Sequence, residues 1–383
     1  MPAKILVAFH VFPYYRLQIM RALTQDKDLQ FTFLAGSAFV KSIKPINPEN
    51  SKGEPFRWKS VKNIWLCNGR FLWQSGLLKE CYSGDYDGVI LLGNPYFLST
   101  WVAAVLARLA NKKVFFWAHA TLRNQLRDLL KIMFYKLAHK MLLYGERARQ
   151  NLILNGFNPA NISVVYNSLN YEEQEQMKMM LDEEKITLKR RELFLHPDHP
   201  VLLFIGRLMP KKKLDYLVSA CHQLGKRGTP VNILFIGSGT EEGKLIQLAK
   251  KYNLQEFVVF YGECYNEEVL SILIAMSDLC VSPGNVGLTA IHALNYGTPV
   301  ITHNNPFMQG PEYEAIEPGI TGMLYKYESL DSLIDKIEQW LIMNRGRREI
   351  VRKQCYDTVA RYYNPSFQAS VIKAAINHAL ERE

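Results

Sequence analysis

Short, continuous apolar runs recur along this chain of 383 residues, and each is followed by a turn and a stretch with helical periodicity. Continuous runs, rather than alternating ones, indicate parallel strands that are buried on both faces. The runs form two separate series, which predicts two doubly wound α/β domains. The first series comprises Ile5–Phe9, Phe31–Ala35, Val89–Leu92, Val114–Trp117, Met141–Tyr144 and Ile162–Tyr166, and the second comprises Val201–Ile205, Val231–Ile236, Phe257–Tyr261, Leu279–Ser282 and Pro299–Thr302.

The two series also predict the domain boundaries. We expect a first domain over residues 1–170 and a second over residues 201–365, consistent with domains of about 150–200 residues. Between them, residues 171–200 have a Glu-, Met- and Lys-rich helical composition and then prolines, which predicts a helical connector and hinge. Residues 366–383 are predicted to form a C-terminal helix that crosses back to the first domain.

The composition argues against several classes of protein. No apolar run reaches the roughly 18 residues that span a membrane, and the run near the start is too short for a secretory signal. The six cysteines and nine histidines show no metal-binding spacing, and His196–His199 is flanked by prolines as in a polar linker. We therefore expect reduced thiols, no metal, no cofactor and a cytoplasmic location.

Positive charge is concentrated in the first half of the chain. Residues 1–190 contain 26 Lys+Arg and 15 Asp+Glu, a net charge of +11, whereas the remaining residues have a net charge of −1. A positively charged half favours anionic partners. Its sequence contains no recognised nucleic-acid-binding module, so we do not expect nucleic acid to be the partner. Residues 122–140 carry a basic amphipathic pattern with Arg123, Arg127 and Lys131 at i, i+4 and i+8. The pattern indicates either peripheral contact with an anionic membrane or an ordinary surface helix.

Three polar motifs directly follow strands of the second series, where doubly wound sheets bind ligands. In GRLMPKKKLD, which starts at Gly206, Arg207 and Lys212 can converge on one pair of phosphates. In GSGT, Gly237 permits a turn into a helix, which is a weak signal alone. In VSPGNVGLTAIH, which starts at Val281, a glycine-bearing loop enters a helix near Leu288, and free N–H groups there suit an anion.

Two motifs in the first half also follow strands. The segment HVFPYYR places His10, Tyr14 and Arg16 after the first strand, where they are candidate substrate contacts. Arg16 fits either a phosphate ligand or a charge on a helix surface. The segment FFWAHA delivers His119 at the carboxyl end of a buried strand, so this histidine is a candidate catalytic residue rather than a core residue.

The motifs GRLMPKK, FIGSG, the FYG turn before Glu263 and the strand GTPVIT resemble, in order and spacing, the nucleotide-sugar-binding domain of retaining glycosyltransferases of family 4. The similarity is strong over residues 200–325 and weaker over residues 1–170. It implies the GT-B fold, in which two Rossmann-like domains face each other across a cleft. It also implies sugar transfer from a nucleotide-sugar, UDP-linked in preference to GDP-linked, to a glycan or lipid-linked acceptor in cell-surface polysaccharide biosynthesis.

The resemblance also implies roles for individual residues. Arg207 and Lys212 would bind the donor diphosphate, and His119 would contact the transferred sugar; these three would be the catalytic residues. No carboxylate base is needed if the leaving phosphate takes the acceptor proton, so that catalysis rests on positioning and cationic stabilisation. The positions expected to bind the donor are Gly206, Gly237, Glu263, Cys264, Gly284, Asn285, Val286, Gly287, Leu288, Thr289 and His292.

One feature of that family is missing. Two glutamates separated by seven residues normally bracket the third motif, and here their positions hold Gly284 and His292. His292 can hydrogen-bond ribose hydroxyls in place of the second glutamate. Gly284 cannot replace the first, which faces the transferred sugar, and we name Asn285, Glu312 and Glu314 as substitutes. The chain is therefore a variant enzyme with relocated polar contacts, a catalytically degenerate nucleotide-sugar or glycan-binding protein, or a GT-B sugar-nucleotide epimerase.

Overall fold

The computed structural model describes residues 1–36, 45–46, 53–54, 56–122 and 128–381, which fold as two compact units. The first unit comprises residues 1–170 and 364–383, and the second comprises residues 171–363. Each unit is built on a parallel β-sheet flanked by helices.

The described part of residues 1–170 alternates strands with helices. Its strands are β1 (Ala3–Ala8), β2 (Phe12–Pro13), β3 (Leu29–Ala35), β4 (Pro45–Ile46), β5 (Arg57–Ser60), β6 (Lys62–Leu66), β7 (Phe71–Ser75), β8 (Gly88–Leu92), β9 (Lys113–Ala118), β10 (Lys140–Leu143) and β11 (Ile162–Val164). Its helices are α1 (Leu17–Thr24), α2 (Leu77–Ser83), α3 (Leu98–Leu109), α4 (Leu129–Tyr135) and α5 (Glu146–Leu154).

Seven of these strands form one parallel sheet in the order β5-β3-β1-β8-β9-β10-β11. Successive side chains of a strand point to opposite faces, so β1 contributes Ile5 and Val7 to one apolar cluster and Leu6 and Ala8 to the other. Both faces of the sheet are thus buried, as the continuous apolar runs predicted. The strands β6 and β7 form a separate antiparallel pair.

The second unit repeats this design. Its strands are β12 (Val201–Ile205), β13 (Asn232–Ile236), β14 (Val258–Gly262), β15 (Leu279–Ser282), β16 (Val300–His303) and β17 (Gly322–Tyr325). Its helices are α6 (Tyr171–Met179), α7 (Glu183–Leu193), α8 (Leu214–Lys226), α9 (Glu242–Lys251), α10 (Glu267–Ala275), α11 (Thr289–Asn295), α12 (Leu330–Met343) and α13 (Arg348–Tyr362). The parallel sheet has the order β14-β13-β12-β15-β16-β17, which is the 3-2-1-4-5-6 order of dinucleotide-binding folds.

The last helix, α14 (Pro365–Leu380), belongs to the first unit. Asn364 caps its amino end by accepting a hydrogen bond from the N–H of Phe367, and Pro365 occupies the first turn. Its apolar face, which includes Ile372 and Ile376, lies in the same core cluster as α1. Gln368 fixes it further, because its amide donates to the carbonyl of Tyr166 at 2.7 Å.

Two segments differ from the sequence-based expectations. The helices α6 and α7, which we treated as a connector, lie within the second unit and pack against α10, with Gln174 and Ile186 buried. The basic pattern of residues 122–140 is not one helix, because α4 ends at Tyr135 and Lys140 already lies in β10. Arg123 and Arg127 lie outside the described residues. Within α4, Lys131 pairs with Asp128 at 2.6 Å.

Candidate functional site

The strand order of the second sheet reverses between β12 and β15, and loops from both strands meet at their carboxyl ends. The loop after β12 is held by backbone hydrogen bonds from Gly206 to Ile236 (2.9 Å) and from Leu208 to Ser238 (2.8 Å). Gly237 has a φ of +131° and lies so near Gly206 that a Cβ there would come within 2.1 Å of the Gly206 oxygen. The glycine motifs therefore allow these strand ends to pack directly on one another.

Lys212 joins the two loops. Its Nζ donates to the backbone oxygen of Asn285 at 2.7 Å, and its own carbonyl accepts from the N–H of Gly284 at 2.8 Å. Burial, reinforced by the charges of Lys211 and Arg207, lowers the pKa of Lys212 to about 8. Arg207 is exposed, and no carboxylate in the described ranges forms an ion pair with it. The structure thus brings both predicted phosphate ligands to this reversal point.

The loop after β15 presents backbone donors beside Lys212. Val286 donates to the side chain of Gln309 at 2.8 Å, whereas no described residue accepts a hydrogen bond from the N–H groups of Gly287, Leu288 and Thr289. The Thr289 hydroxyl donates to the carbonyl of Ile205 at 3.2 Å, which ties the start of α11 to the end of β12. Three free N–H groups next to Arg207 and Lys212 are suited to oxyanions.

Gly284 is enclosed by backbone. An ideal Cβ at this position would lie 2.2 Å from the Lys211 oxygen and 2.6 Å from the Lys212 Cα. No side chain fits there without moving the Lys212 loop, so the glutamate that the resemblance expects is sterically excluded. By contrast, a Cβ at Gly287 would meet no atom within 4 Å.

Glu312, one of the proposed substitutes for that glutamate, lies beside the loop that contains Val286 and Gly287. Its side chain is buried, and its Oε2 would lie 2.8 Å from a Cβ on Gly310, whose other neighbours would be Val286 and Gly287. Glu314 is half-buried in the same 3-10 turn, Pro311–Ala315. The side-chain oxygen of Asn285 is buried and has no hydrogen-bond partner among the described residues.

His292 has a partner that the sequence did not reveal. Its Nε2 lies 2.8 Å from a carboxylate oxygen of Glu267, the first residue of α10, and the same oxygen accepts from the Tyr296 hydroxyl at 2.7 Å. Burial acts to raise the pKa of Glu267, but hydrogen bonds from His292, Tyr296 and Gln174 outweigh it, so the pKa is lowered. A carboxylate is thus present beside position 292, supplied by another helix.

The predicted base-contact region lies at the end of β14. The Ser238 hydroxyl donates to Glu263, and the Tyr265 hydroxyl donates to the same carboxylate at 3.3 Å. Tyr265 is among the most exposed aromatic residues, and the thiol of Cys264 is half-buried. These side chains border the turn at Gly262, whose carbonyl accepts from Gly237 at 2.7 Å.

The first unit has its own cavity, of about 710 Å³, at the carboxyl end of its sheet. Three of the predicted substrate contacts, His10, Arg16 and His119, line it, whereas Tyr14 does not. The guanidinium of Arg16 is buried and donates a hydrogen bond to the hydroxyl of Tyr144. The sequence did not single out Tyr144, because a tyrosine after an apolar strand carries no distinctive pattern.

Both cavity histidines are neutral at physiological pH. The His119 ring is open to the cavity but surrounded by protein, and this desolvation together with the charge of Arg16 lowers its pKa to about 4. The same two causes lower the pKa of His10 to about 4. His119 also stacks at a tilt on Tyr144, with ring centroids 4.5 Å apart. These imidazoles can therefore hydrogen-bond a substrate without adding charge to the cavity.

A different cavity, of about 450 Å³, lies at the amino end of the second sheet among residues such as His199, Ser277 and Pro299. It contains none of the predicted site residues, and parallel sheets bind ligands at the opposite edge. In the described part of the chain, no three His, Cys, Asp or Glu side chains are grouped to hold a metal ion. No described helix has the length and apolar character needed to cross a membrane.

The chain is similar in sequence to known glycosyltransferases. Residues 185–356 match the family model described as "Glycosyl transferases group 1". An uncharacterised glycosyltransferase of Methanocaldococcus jannaschii is 27% identical over 211 residues, 52% of each chain. The alpha-D-kanosaminyltransferase of Streptomyces kanamyceticus is 25% identical over 207 residues, 53% of this chain and 51% of that protein. The chain thus spans about half the length of the curated relatives it matches.

Similarity to solved structures extends over the whole chain. The crystal structure of Anabaena Alr3699/HepE in complex with UDP aligns with a TM-score of 0.72 at 16% identity, covering 99% of this chain and 100% of that one. The predicted fold class, GT-B with two Rossmann-like α/β domains, is confirmed.

Proposed function

We propose that this protein is a retaining glycosyltransferase that transfers a sugar from a UDP-sugar to a glycan or lipid-linked acceptor in the synthesis of a cell-surface polysaccharide. The observation that carries the proposal is the convergence of Arg207, Lys212 and three free backbone N–H groups at the reversal point of the second sheet. The match of residues 185–356 to the glycosyl transferases group 1 model covers all of these positions. The UDP in the Anabaena structure supports the choice of base.

In this proposal the second unit stabilises the leaving group. The acceptor hydroxyl attacks the anomeric carbon of the sugar while the bond from that carbon to the diphosphate oxygen breaks. The hydroxyl proton passes to the departing phosphate, so no carboxylate base is required. Arg207 and Lys212 offset the negative charge that develops on the diphosphate, which is where fixed cations accelerate such a reaction. The neutral imidazole of His119 would hydrogen-bond the transferred sugar.

The donor assignment is tested by calorimetry with UDP and by a transfer assay with a panel of UDP- and GDP-sugars. Arg207→Ala and Lys212→Ala should each weaken UDP binding at least tenfold, while Lys211→Ala, one residue away and exposed, should not. Unchanged affinity in both variants would refute the phosphate site. If the wild-type protein binds UDP but never releases it from any UDP-sugar, the protein is the degenerate binding protein that the closed position of Gly284 also allows.

Contact with an anionic membrane is a further part of the proposal. Four apolar side chains on one face of α3 are exposed: Leu98 (37%), Val102 (39%), Val105 (43%) and Leu109 (71%). Their spacing of i, i+4, i+7 and i+11 aligns them along the helix. The sequence has no acidic residue between Asp87 and Asp128, whereas Arg108 and Lys113 lie close to this face. Apolar side chains flanked by cations are expected to bind a membrane with anionic headgroups more strongly than a membrane with neutral headgroups.

Flotation with vesicles of phosphatidylcholine, with and without phosphatidylglycerol, tests this contact. The wild-type protein should float with the anionic vesicles, less so as salt rises, and Val102→Glu/Val105→Glu should abolish flotation. Leu188→Glu is a matched control, because Leu188 is 68% exposed on α7 of the second unit. If the double variant instead changes only the oligomeric state measured by light scattering, the α3 face binds a second copy of the chain and the membrane proposal is wrong.

A further inference from the structure

Arg16 is a buried charge without a counter-charge. It is 6% exposed, and its guanidinium lies 4.8 Å from the ring centre of Trp117, 5.0 Å from that of Phe9 and 5.5 Å from that of Tyr144. Its side chain donates to the hydroxyls of Tyr144 and Tyr15, and no carboxylate of the described residues contributes to its electrostatic surroundings. The aromatic rings hold the guanidinium in place by cation–π contacts, which do not neutralise it.

Buried arginines are normally paired with carboxylates, because an isolated charge is expensive to remove from water. The polar groups nearest to Arg16 do not provide this pairing. His10 and His119 are both neutral, since each has its pKa lowered to about 4. The Nδ1 of His10 is also buried without a hydrogen-bond partner in the described structure. The retained positive charge therefore points to an anion that is supplied from outside the chain.

The position of Arg16 makes such an anion accessible. Arg16 lines the 710 Å³ cavity, a volume within the range of small-molecule sites, which is about 300–1,000 Å³. The described lining also includes Arg70, together with Lys131, which is paired with Asp128, and it contains no aspartate or glutamate. Tyr144 also lines this cavity, and its hydroxyl accepts a hydrogen bond from Arg16. The charged side chains in the described lining of this cavity are therefore all cationic.

We propose that this cavity binds an anionic group of the acceptor, a phosphate or carboxylate, with Arg16 as its principal ligand. An arginine can grip two oxygens of such a group at once. The identification of the ligand as the acceptor rests on the proposed glycosyl transfer, but anion binding at Arg16 does not. The acceptor class would then be a sugar or lipid that carries its negative charge near the hydroxyl to be glycosylated.

Calorimetric titration with inorganic pyrophosphate tests the anion site. The full-length chain is used with Arg207→Ala and Lys212→Ala already present, so that the second unit contributes little to pyrophosphate binding. In that background, adding Arg16→Met, which keeps the length that packs among the rings, should weaken pyrophosphate binding at least tenfold, and Arg16→Lys should weaken it less. Arg21→Met is the control on the same helix, because Arg21 is already paired with Glu54. Equal affinity in Arg16→Met and its parent would overturn the proposal.

Thermal unfolding separates a ligand-binding arginine from a structural one. If Arg16 is retained for an anion, Arg16→Met should unfold at the same temperature as its parent or higher, because an unpaired buried charge has been removed. Pyrophosphate should raise the unfolding temperature of the parent and not that of Arg16→Met. A variant that unfolds at a much lower temperature and still gains stability from pyrophosphate would show that Arg16 is structural.

The source of the anion is decided by UDP binding in an otherwise wild-type chain. Arg16→Met should leave UDP affinity within twofold of wild type while lowering the transfer rate to anionic acceptors. If Arg16→Met instead weakens UDP binding tenfold, the anion at Arg16 is the donor diphosphate, and the acceptor assignment is refuted. If the wild-type chain transfers no sugar at all but Arg16→Met weakens pyrophosphate binding in the Arg207→Ala/Lys212→Ala background, the proposed function fails and the anion site stands.

Discussion

Glu267 and His292 form a hydrogen-bonded pair, with the Nε2 of His292 2.8 Å from the carboxylate of Glu267. A carboxylate only accepts hydrogen bonds, so the Nε2 of His292 donates to Glu267. The pair therefore places a histidine bonded to a carboxylate at position 292, where the resemblance expects a glutamate. The carboxylate belongs to Glu267 in α10, and the histidine that contacts it belongs to α11.

This pairing predicts that restoring the expected glutamate will be harmful. His292→Glu places two carboxylates at hydrogen-bonding distance in a partly buried site, where they repel each other. We expect the variant to lose about 1–3 kcal/mol of the free energy of unfolding and at least tenfold in UDP affinity. Adding Glu267→Gln should recover most of both losses, because an amide can donate to the introduced carboxylate. Denaturant titration and calorimetry on the two single variants and the double variant measure the coupling.

A simple result would contradict this account of the site. If His292→Glu binds UDP as well as wild type without the second substitution, then Glu267 does not act on position 292. His292→Gln serves as a control, since it removes the imidazole without adding a charge.

The lowered pKa of Glu267 also predicts how stability depends on pH. The carboxylate is better stabilised in the folded chain than in the unfolded one, where the pKa is near the ordinary value of 4.5. The stabilisation that the carboxylate contributes to the free energy of unfolding is therefore present above pH 4.5, and it is lost as the pH falls through the lower folded pKa. Glu267→Gln should cost about 1–3 kcal/mol at pH 7 and progressively less below pH 4.5, as measured by urea unfolding.

The neighbouring carboxylate gives a matched control for this pH dependence. Glu268 lies in the same first turn of α10 but is exposed, so Glu268→Gln should change the free energy of unfolding by less than about 0.5 kcal/mol at any pH. An equal cost for Glu267→Gln at pH 7 and at pH 4 would mean that the pKa of Glu267 is the same in the folded and the unfolded chain.

Much of the fold followed from the apolar runs, because strands buried on both faces are short, continuously apolar and bounded by turn residues. The runs Val201–Ile205 and Leu279–Ser282 coincide with β12 and β15. The strands that were not predicted lack a continuous apolar run. β5 reads RWKS and is largely exposed at the edge of its sheet, and β6 and β7 pair only with each other. Edge strands and hairpins need few apolar residues, so their pattern resembles that of a loop.

Less of the candidate site could be predicted from the sequence, because its side chains contact residues of other helices and strands. The motifs located Arg207, Lys212 and the loop of Gly284, since each directly follows a strand. Nothing in the sequence around Glu267 indicates that it faces His292, which is 25 residues away. Tyr144 likewise reaches Arg16 only because β10 and β1 belong to the same sheet. Such pairings depend on packing geometry, which a linear pattern does not encode.

The contrast between Gly284 and Gly287 makes a steric prediction. Gly284→Ala forces a Cβ to within 2.2 Å of the Lys211 backbone, whereas Gly287→Ala meets no atom within 4 Å. Gly284→Ala should therefore displace the Lys212 loop, cost about 1–3 kcal/mol in the free energy of unfolding and weaken UDP binding at least tenfold. Gly287→Ala should change stability by less than about 1 kcal/mol. Wild-type UDP affinity in Gly284→Ala would show that the Lys212 loop does not bind the diphosphate.

The lowered pKa of Lys212 predicts how donor binding depends on pH. Burial beside Lys211 and Arg207 lowers its pKa to about 8, so in the free protein it begins to lose its charge within the range of ordinary assays. A bound diphosphate favours the charged ammonium, and binding above pH 8 must therefore take up a proton. UDP affinity should fall by up to about tenfold for each unit of pH above that value. Lys212→Arg supplies a cation that does not titrate in this range, and its affinity, measured by calorimetry between pH 7 and pH 9.5, should stay level. A parallel decline in wild type and Lys212→Arg would place the titrating group elsewhere and remove Lys212 from the diphosphate site.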